Sequence, residues 1–139
     1  MASYSWFAPI VFLAAVSSAC SGSGMTTSPS TTSTSPVTVT FASELAVRGS
    51  ASRAFTLTTG GTVKVTLTTF GNGSIAAGVG IGVPASSGAP CSLAESVITT
   101  PGDLPQIVTS ADAGTYCAQV FDAGSLAGDT PFSLVIEHP

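Results

Sequence analysis

Apolar and polar residues alternate with a period of two along most of the chain from residue 37 onward. Because the side chains of a strand point alternately to its two faces, this pattern predicts half-buried β-strands. The pattern is clearest at Val63, Val65 and Leu67, and again at Phe132, Leu134 and Ile136. About eight such segments, separated by Gly, Pro and Asp turns, predict an all-β domain: a small antiparallel β-sandwich or jelly-roll-like domain.

Two connections carry more specific local signals. The pair Gly60-Gly61 separates the strand predicted at residues 53–57 from the one at residues 62–69, which predicts a tight hairpin. Residues 92–96 are the one place where a single helical turn is expected. Elsewhere no window shows the 3.6-residue apolar period of a helix.

Glycine occupies every second position in one predicted strand. Gly78, Gly80 and Gly82 alternate with Val79, Ile81 and Val83. A strand face without side chains lets another part of the chain approach the backbone closely. We therefore expect a close contact on the glycine face of this strand.

The first 19 residues have the features of an export signal. Residues 6–16 form an apolar run that is too short to span a bilayer but matches the hydrophobic core of a signal peptide. The residues Ala14-Ala15-Val16-Ser17-Ser18-Ala19-Cys20 that follow resemble the lipobox of bacterial lipoproteins. That resemblance implies that Cys20 receives a diacylglyceryl group and acyl chains such as palmitate. Cleavage by an ordinary signal peptidase after Ala19 is the alternative, and it also exports the chain.

Residues 20–36 would then hold the lipidated cysteine and a spacer. From residue 21 this segment consists almost entirely of Ser, Thr, Gly and Pro, which cannot bury apolar surface. We expect a disordered linker that holds the domain, residues 37–139, away from the membrane.

The pattern within residues 37–137 resembles the bacterial pre-peptidase C-terminal (PPC) domain, a β-sandwich appended to secreted enzymes and surface proteins. The matching phrases are Phe55-x-Leu57, Gly61-x-Val63-x-Val65-x-Leu67, Gly114-x-Tyr116, Val120 and Phe132-x-Leu134. The resemblance implies an accessory module without catalysis of its own. An acidic pair usual in that family is replaced here by Ser52, Arg53 and Ala54.

Catalytic and metal chemistry have little support in the sequence. His138, the only histidine, lies beside the C-terminal residue, where we expect the chain to fray. Asp103, Asp112, Asp122 and Asp129 lie in turns or loops, so turn formation is their expected role. A calcium site at Asp122 and Asp129 is the alternative, but no calcium-loop spacing accompanies it. We expect no enzyme activity, no metal and no cofactor.

The remaining cysteines, Cys91 and Cys117, are expected to form a disulfide. Export removes the chain from the reducing cytosol, so two thiols in a small domain tend to pair. Separate burial of the two thiols is the alternative. Tyr116 follows an Asp-Ala-Gly-Thr phrase typical of the tyrosine corner of immunoglobulin-like domains, but Cys117 directly follows the tyrosine and faces the other way. A core residue with a hydrogen-bonded hydroxyl is its expected role.

Together these features predict a non-catalytic lipoprotein of the bacterial cell envelope that faces the periplasm or the cell exterior. Its partners would be the membrane, through Cys20, and envelope proteins or polysaccharide. Nucleic acid is not expected, because the net charge is −4 and the three basic residues are scattered. The alternative function is a secreted carbohydrate-binding module, for which Phe70 and Phe121 are the candidate sugar-binding aromatics.

Overall fold

The computed structural model describes residues 35–86 and 90–139, which belong to one compact unit, Ser33–Pro139. The expected signal peptide, Cys20 and the linker up to residue 34 lie outside the described residues. Eight strands are present: β1 (Val37–Leu45), β2 (Ser50–Leu57), β3 (Gly61–Phe70), β4 (Ala77–Val83), β5 (Ser92–Thr99), β6 (Ile107–Ala111), β7 (Gly114–Phe121) and β8 (Thr130–His138). Within the two described ranges, no helix has the length and apolar character needed to cross a membrane.

The strands form two four-stranded antiparallel sheets. Sheet A has the strand order β1-β8-β3-β6, and sheet B has the order β2-β7-β4-β5. Successive strands alternate between the sheets except at the β4–β5 hairpin, which is the arrangement of a jelly roll. The predicted all-β class, the sandwich and the count of about eight strands are confirmed.

The core lies between the two sheets and follows the alternation of the sequence. In sheet A, Val65 pairs with Ile136 and Leu67 with Leu134, and all four side chains are fully buried. Burial of each such side chain contributes about 1.5–3 kcal/mol relative to leaving it in water. Sheet B completes the core chiefly with Phe55, Leu57, Val79, Ile81, Ala118 and Val120.

The hairpin expected at Gly60-Gly61 is wrong. β2 pairs with β7 in sheet B, whereas β3 pairs with β8 and β6 in sheet A. The glycines therefore lie where the chain crosses from one sheet to the other. Alternation identified the apolar face of each strand correctly, but two strands can bury such faces in the same core from opposite sheets.

The helical turn expected at residues 92–96 is also wrong, because this segment begins β5. Its backbone pairs with β4 in the antiparallel ladder, with a bulge between Ile81 and Gly82. β5 has no neighbour on its other side in the described structure, and most of its residues are exposed. An edge strand that buries little apolar surface shows a weak period-two signal, which explains the incorrect prediction.

The connection from β5 to β6 runs along the edge of sheet A. The backbone N–H groups of Gly102 and Gln106 donate to the carbonyl oxygens of Leu67 (2.9 Å) and Val65 (3.0 Å). The side-chain Oε1 of Gln106 accepts from the Leu67 N–H at 2.6 Å. This connection covers the edge of β3 beyond the start of β6.

Candidate binding cleft

Cys91 and Cys117 form a disulfide, with their Cα atoms 5.9 Å apart, as predicted. Cys117 lies on β7 opposite Gly82 of β4, and Cys91 immediately precedes β5. β4 lies between β7 and β5 in sheet B. The disulfide therefore links the residue just before β5 to β7, two strands away in the sheet. The bridge thereby fixes the position of β5 on sheet B.

The glycine face of β4 is covered by side chains of the two strands that flank it. A Cβ atom at Gly78 would collide with the ring of Phe121, and one at Gly80 would lie 2.7 Å from Cδ1 of Leu93. The expected close approach on this face is confirmed. Phe121 and Leu93 therefore pack on the outer face of sheet B, in the space that a side chain at Gly78 or Gly80 would occupy.

A cleft of about 240 Å³ opens where the edges of the two sheets meet. One wall comes from β4 and β5 of sheet B, and the other from β6 of sheet A and the turn after it. Its lining comprises Ile81, Gly82, Val83, Ala94, Glu95, Thr109, Ser110, Ala111, Asp112 and Tyr116. Most of the exposed lining is apolar, and the polar side chains among the lining residues are Glu95, Thr109, Ser110, Asp112 and Tyr116.

Tyr116, on β7, contributes an aromatic ring to the lining of the cleft. Its ring is half-buried against Phe55, at a centroid distance of 6.1 Å, and its hydroxyl donates to the carbonyl oxygen of Asp112 at 3.0 Å. The expected hydrogen-bonded tyrosine is thus present, and it closes the tight turn between β6 and β7. The bond fixes the turn that carries the Asp112 carboxylate at the rim.

The rim of the cleft is acidic. Glu95 of β5 and Asp112 are both exposed, and both line the cleft. In the part of the chain that the structure describes, Lys64 and Glu137 form the one ion pair, at 3.8 Å. Neither rim carboxylate is therefore neutralised by a neighbouring cation there.

Asp122 accepts hydrogen bonds from backbone amides, which is the turn-forming role expected from the sequence. Its Oδ2 accepts from the N–H of Arg48 at 2.8 Å, which ties the loop after β7 to the turn between β1 and β2. Its Oδ1 accepts from three amides of its own loop: Gly124 (2.8 Å), Ser125 (3.0 Å) and Leu126 (3.3 Å). These hydrogen bonds, that from Arg48 foremost, hold the pKa of Asp122 below its ordinary 3.8, although partial burial acts in the opposite direction.

The alternative calcium site at Asp122 and Asp129 finds no support in this geometry, because both Asp122 oxygens already accept backbone hydrogen bonds. Across residues 35–86 and 90–139, no three His, Cys, Asp or Glu side chains form a group that could hold a metal ion.

His138 is buried rather than frayed. β8 extends to this residue, whose ring stacks on Phe55 at a centroid distance of 5.4 Å and is 6% exposed. Its Nδ1 lies 2.9 Å from the carbonyl oxygen of Pro139. The expectation of a loose terminus is therefore wrong, because pairing with β1 and β3 holds the last strand along its length.

The two aromatics suggested as a sugar platform do not form one. Phe70 is fully buried, and Phe121 packs on Gly78. The aromatic ring that reaches a cavity wall beside polar groups is Tyr116, which the sequence assigned to the core. Both roles hold, since the ring packs against the core cluster on one side and lines the cleft on the other.

Sequence reasoning missed the cleft and the carboxylate of Glu95. No residue of the cleft belongs to a recognisable sequence motif. The cleft forms because β5 is the edge strand of sheet B and β6 is the edge strand of sheet A on the same side of the sandwich. A usable signal was present in Glu95, a charge inside a short strand-like segment, which is typical of an edge strand.

No protein-family model matches this chain, and no curated protein matches it either.

Proposed function

We propose that this protein is a non-catalytic accessory or interaction module of the bacterial cell envelope, displayed on a flexible tether from a lipidated Cys20. The observation that carries the proposal is the cleft between the edges of β5 and β6. It is built on a frame that the disulfide and the Tyr116 hydrogen bond hold in place. A concave, mostly apolar surface with a few fixed polar groups is typical of binding sites.

The absence of catalysis in this proposal rests on His138 and Asp122, and the two cleft carboxylates, Glu95 and Asp112, are proposed to bind a ligand rather than to react. The His138 ring is buried against Phe55, and the Asp122 carboxylate caps backbone amides. Asp122 is used by the fold, and His138, although it lines a second surface cavity, is only 6% exposed. General acid–base chemistry requires a group within reach of a substrate.

The eight-stranded sandwich supports the resemblance to the PPC domain, which we retain as part of the proposal. The positions where that family carries acids hold Ser52, Arg53 and Ala54, which lie exposed on the edge strand β2. A ligand role that depends on those acids is therefore not carried over. The cleft lies at the other edge of sheet B.

A carbohydrate-binding module is the second candidate, and the lining of the cleft favours it. The half-buried Tyr116 lines the same cleft as Thr109, Ser110 and the acidic residues Glu95 and Asp112. Sugars present apolar faces to aromatic rings and hydroxyl groups to such acceptors.

Anchoring is tested in the native host with a Cys20→Ser variant. Wild-type protein should fractionate with membranes and carry a diacylglyceryl group on its N-terminal peptide by mass spectrometry, whereas the variant should lose both properties. A Ser21→Ala variant is the control and should behave as wild type. An N-terminal peptide without lipid, or one that starts elsewhere, would refute the anchor while leaving the binding proposal standing.

Binding through the cleft is tested by photo-crosslinking in intact envelopes. A photoreactive amino acid replaces Ala94 in the cleft or, as a matched control, the exposed Ala42 on β1. Discrete adducts from position 94 that are missing from position 42 are expected. Equal labelling from both positions would show that the cleft is not the binding surface.

A further inference from the structure

The two strands that flank the cleft both have an unpaired edge. In the described structure β5 pairs with β4 alone, and β6 pairs with β3 alone. The outward N–H and C=O groups of β5 form a row that another extended chain can pair with. Peptides are commonly recognised in this way, by addition of a strand to an exposed sheet edge.

The exposed apolar side chains concentrate along the same side. Seven large hydrophobic residues are exposed within residues 35–86 and 90–139, and five of them lie on β5, on β6, between these strands, or at the end of β4. These five are Val83, Val97, Ile98, Leu104 and Val108. A strand edge flanked by apolar side chains suits a partner segment that brings apolar side chains of its own.

The charge of the cleft specifies the partner further. Glu95 and Asp112 line it, and no Lys or Arg does. The three basic residues of the chain lie elsewhere, Arg48 in the β1–β2 turn, Arg53 on β2 and Lys64 paired with Glu137 on β3. A positively charged side chain is therefore complementary to the cleft, whereas an anionic ligand is repelled.

We infer that the open side of the sandwich binds an extended polypeptide segment, which adds to the edge of β5 and places a lysine or arginine side chain in the cleft between Glu95 and Asp112. This inference rests on the proposed function and names its partner class. A glycan fits less well, because it has no regular row of backbone amides to pair with the strand edge. A second copy of this chain also fits less well, since antiparallel pairing of two β5 strands about their centre brings the two Glu95 carboxylates close together.

The experiment is selection of random 12-residue peptides on phage against the chain as its host exports it. Enriched peptides should carry Lys or Arg flanked by apolar residues at alternate positions. A synthetic copy of the strongest binder is then measured by fluorescence anisotropy. Glu95→Gln and Asp112→Asn should each weaken its binding about two- to five-fold, and the double variant about ten-fold. Glu44→Gln and Asp129→Asn, which change exposed carboxylates away from β5 and β6, are matched controls and should leave affinity unchanged.

Strand addition is tested on the peptide itself, so that the protein stays intact. N-methylation of every second backbone amide should abolish binding in one of the two possible registers and spare it in the other. Raising the salt concentration should weaken binding, because exposed charges are screened. No enrichment, enrichment of acidic peptides, or equal effects of the two N-methylated peptides would overturn the inference.

A parallel glycan-array arm separates this inference from the function on which it rests. Saturable glycan binding that the Glu95→Gln, Asp112→Asn double variant abolishes would overturn the peptide inference and keep the cleft as the binding surface. If neither peptides nor glycans bind in a way that depends on the cleft, both the inference and the cleft-based function are refuted. Concentration-dependent dimers that the double variant strengthens would identify the edge as a self-association surface and overturn the peptide inference.

Discussion

Strands β3 and β5 differ in how much the rest of the protein depends on them. β3 lies inside sheet A, bonded to β8 on one side and β6 on the other, and Val63, Val65 and Leu67 are 0% exposed. β5 ends sheet B with one bonded neighbour and an almost wholly exposed surface. Changes at the buried positions of β3 should therefore destroy the fold, whereas changes at the exposed positions of β5 should alter what the fold can bind. This difference can be tested at several positions.

The largest effect is expected for Val65→Asp at the centre of β3. An unpaired carboxylate would enter a core position with no exposure, which costs about 4 kcal/mol or more and is comparable to the whole stability of a small domain. The variant should not fold, as circular dichroism and thermal melting would show. Thr62→Asp, an exposed site on the same strand, is the control and should melt cooperatively. A soluble, cooperatively melting Val65→Asp protein would contradict the assigned core face.

The next effect concerns the bridge that holds β5. Loss of the disulfide by Cys91→Ala and Cys117→Ala together should cost about 3 kcal/mol, because the unfolded chain regains the entropy of a loop closed over 26 residues. Chemical denaturation checks this value. Reduction of the wild-type protein keeps both thiols and should give a similar loss. If oxidised and reduced protein unfold at the same denaturant concentration, the bridge does not stabilise the domain.

A smaller effect is expected for Gly82→Ala, where β5 crosses closest to β4. The new Cβ would collide with the carbonyl oxygen of Ser92 and lie 2.8 Å from Cα of Leu93, so the backbone at the start of β5 must move. Such overpacking costs about 2 kcal/mol. Gly128→Ala, where nothing lies within 4 Å of the new atom, is the matched control and should change stability by about 0.5 kcal/mol or less. Equal stability of the two variants would show that β5 is not held against Gly82.

The same contrast between the two strands explains what the sequence could and could not predict. β3 and β8 bury alternate residues, so their apolar pattern is complete and identifies both the strands and their inward faces. β5 buries little, so its sequence lacks a clear period of two and predicts a helical turn instead. Alternation also does not show which strands pair with each other, so Gly60-Gly61 predicts a hairpin although β2 and β3 lie in different sheets. The cleft depends on which strands become edges, and no local pattern records that.

The disulfide and His138 are a second pair of examples, one predictable from the sequence and one not. Pairing of Cys91 with Cys117 was predictable, because the expected export and the number of cysteines leave few alternatives. The burial of His138 was not, because the position of a residue in the sequence does not show which strands will pair with it. β8 is held between β1 and β3, so even its last paired residue packs in the interior.

The smallest effect is expected at Asp122, which touches neither the centre of β3 nor the open edge of β5. Its pKa is lower in the folded state than its ordinary 3.8, so the folded protein binds this proton less readily than the unfolded chain does. Its stabilising contribution is therefore complete above about pH 5 and is lost as the pH falls through the folded value, below 3.8. Asp122→Asn should lower the melting temperature slightly at pH 7 and make its decline between about pH 5 and pH 3 shallower. Asp129→Asn, an exposed carboxylate in the same loop, is the control and should keep the wild-type profile. If the Asp122→Asn and wild-type melting curves fall in parallel with pH, the tie between this loop and the β1–β2 turn does not contribute to stability.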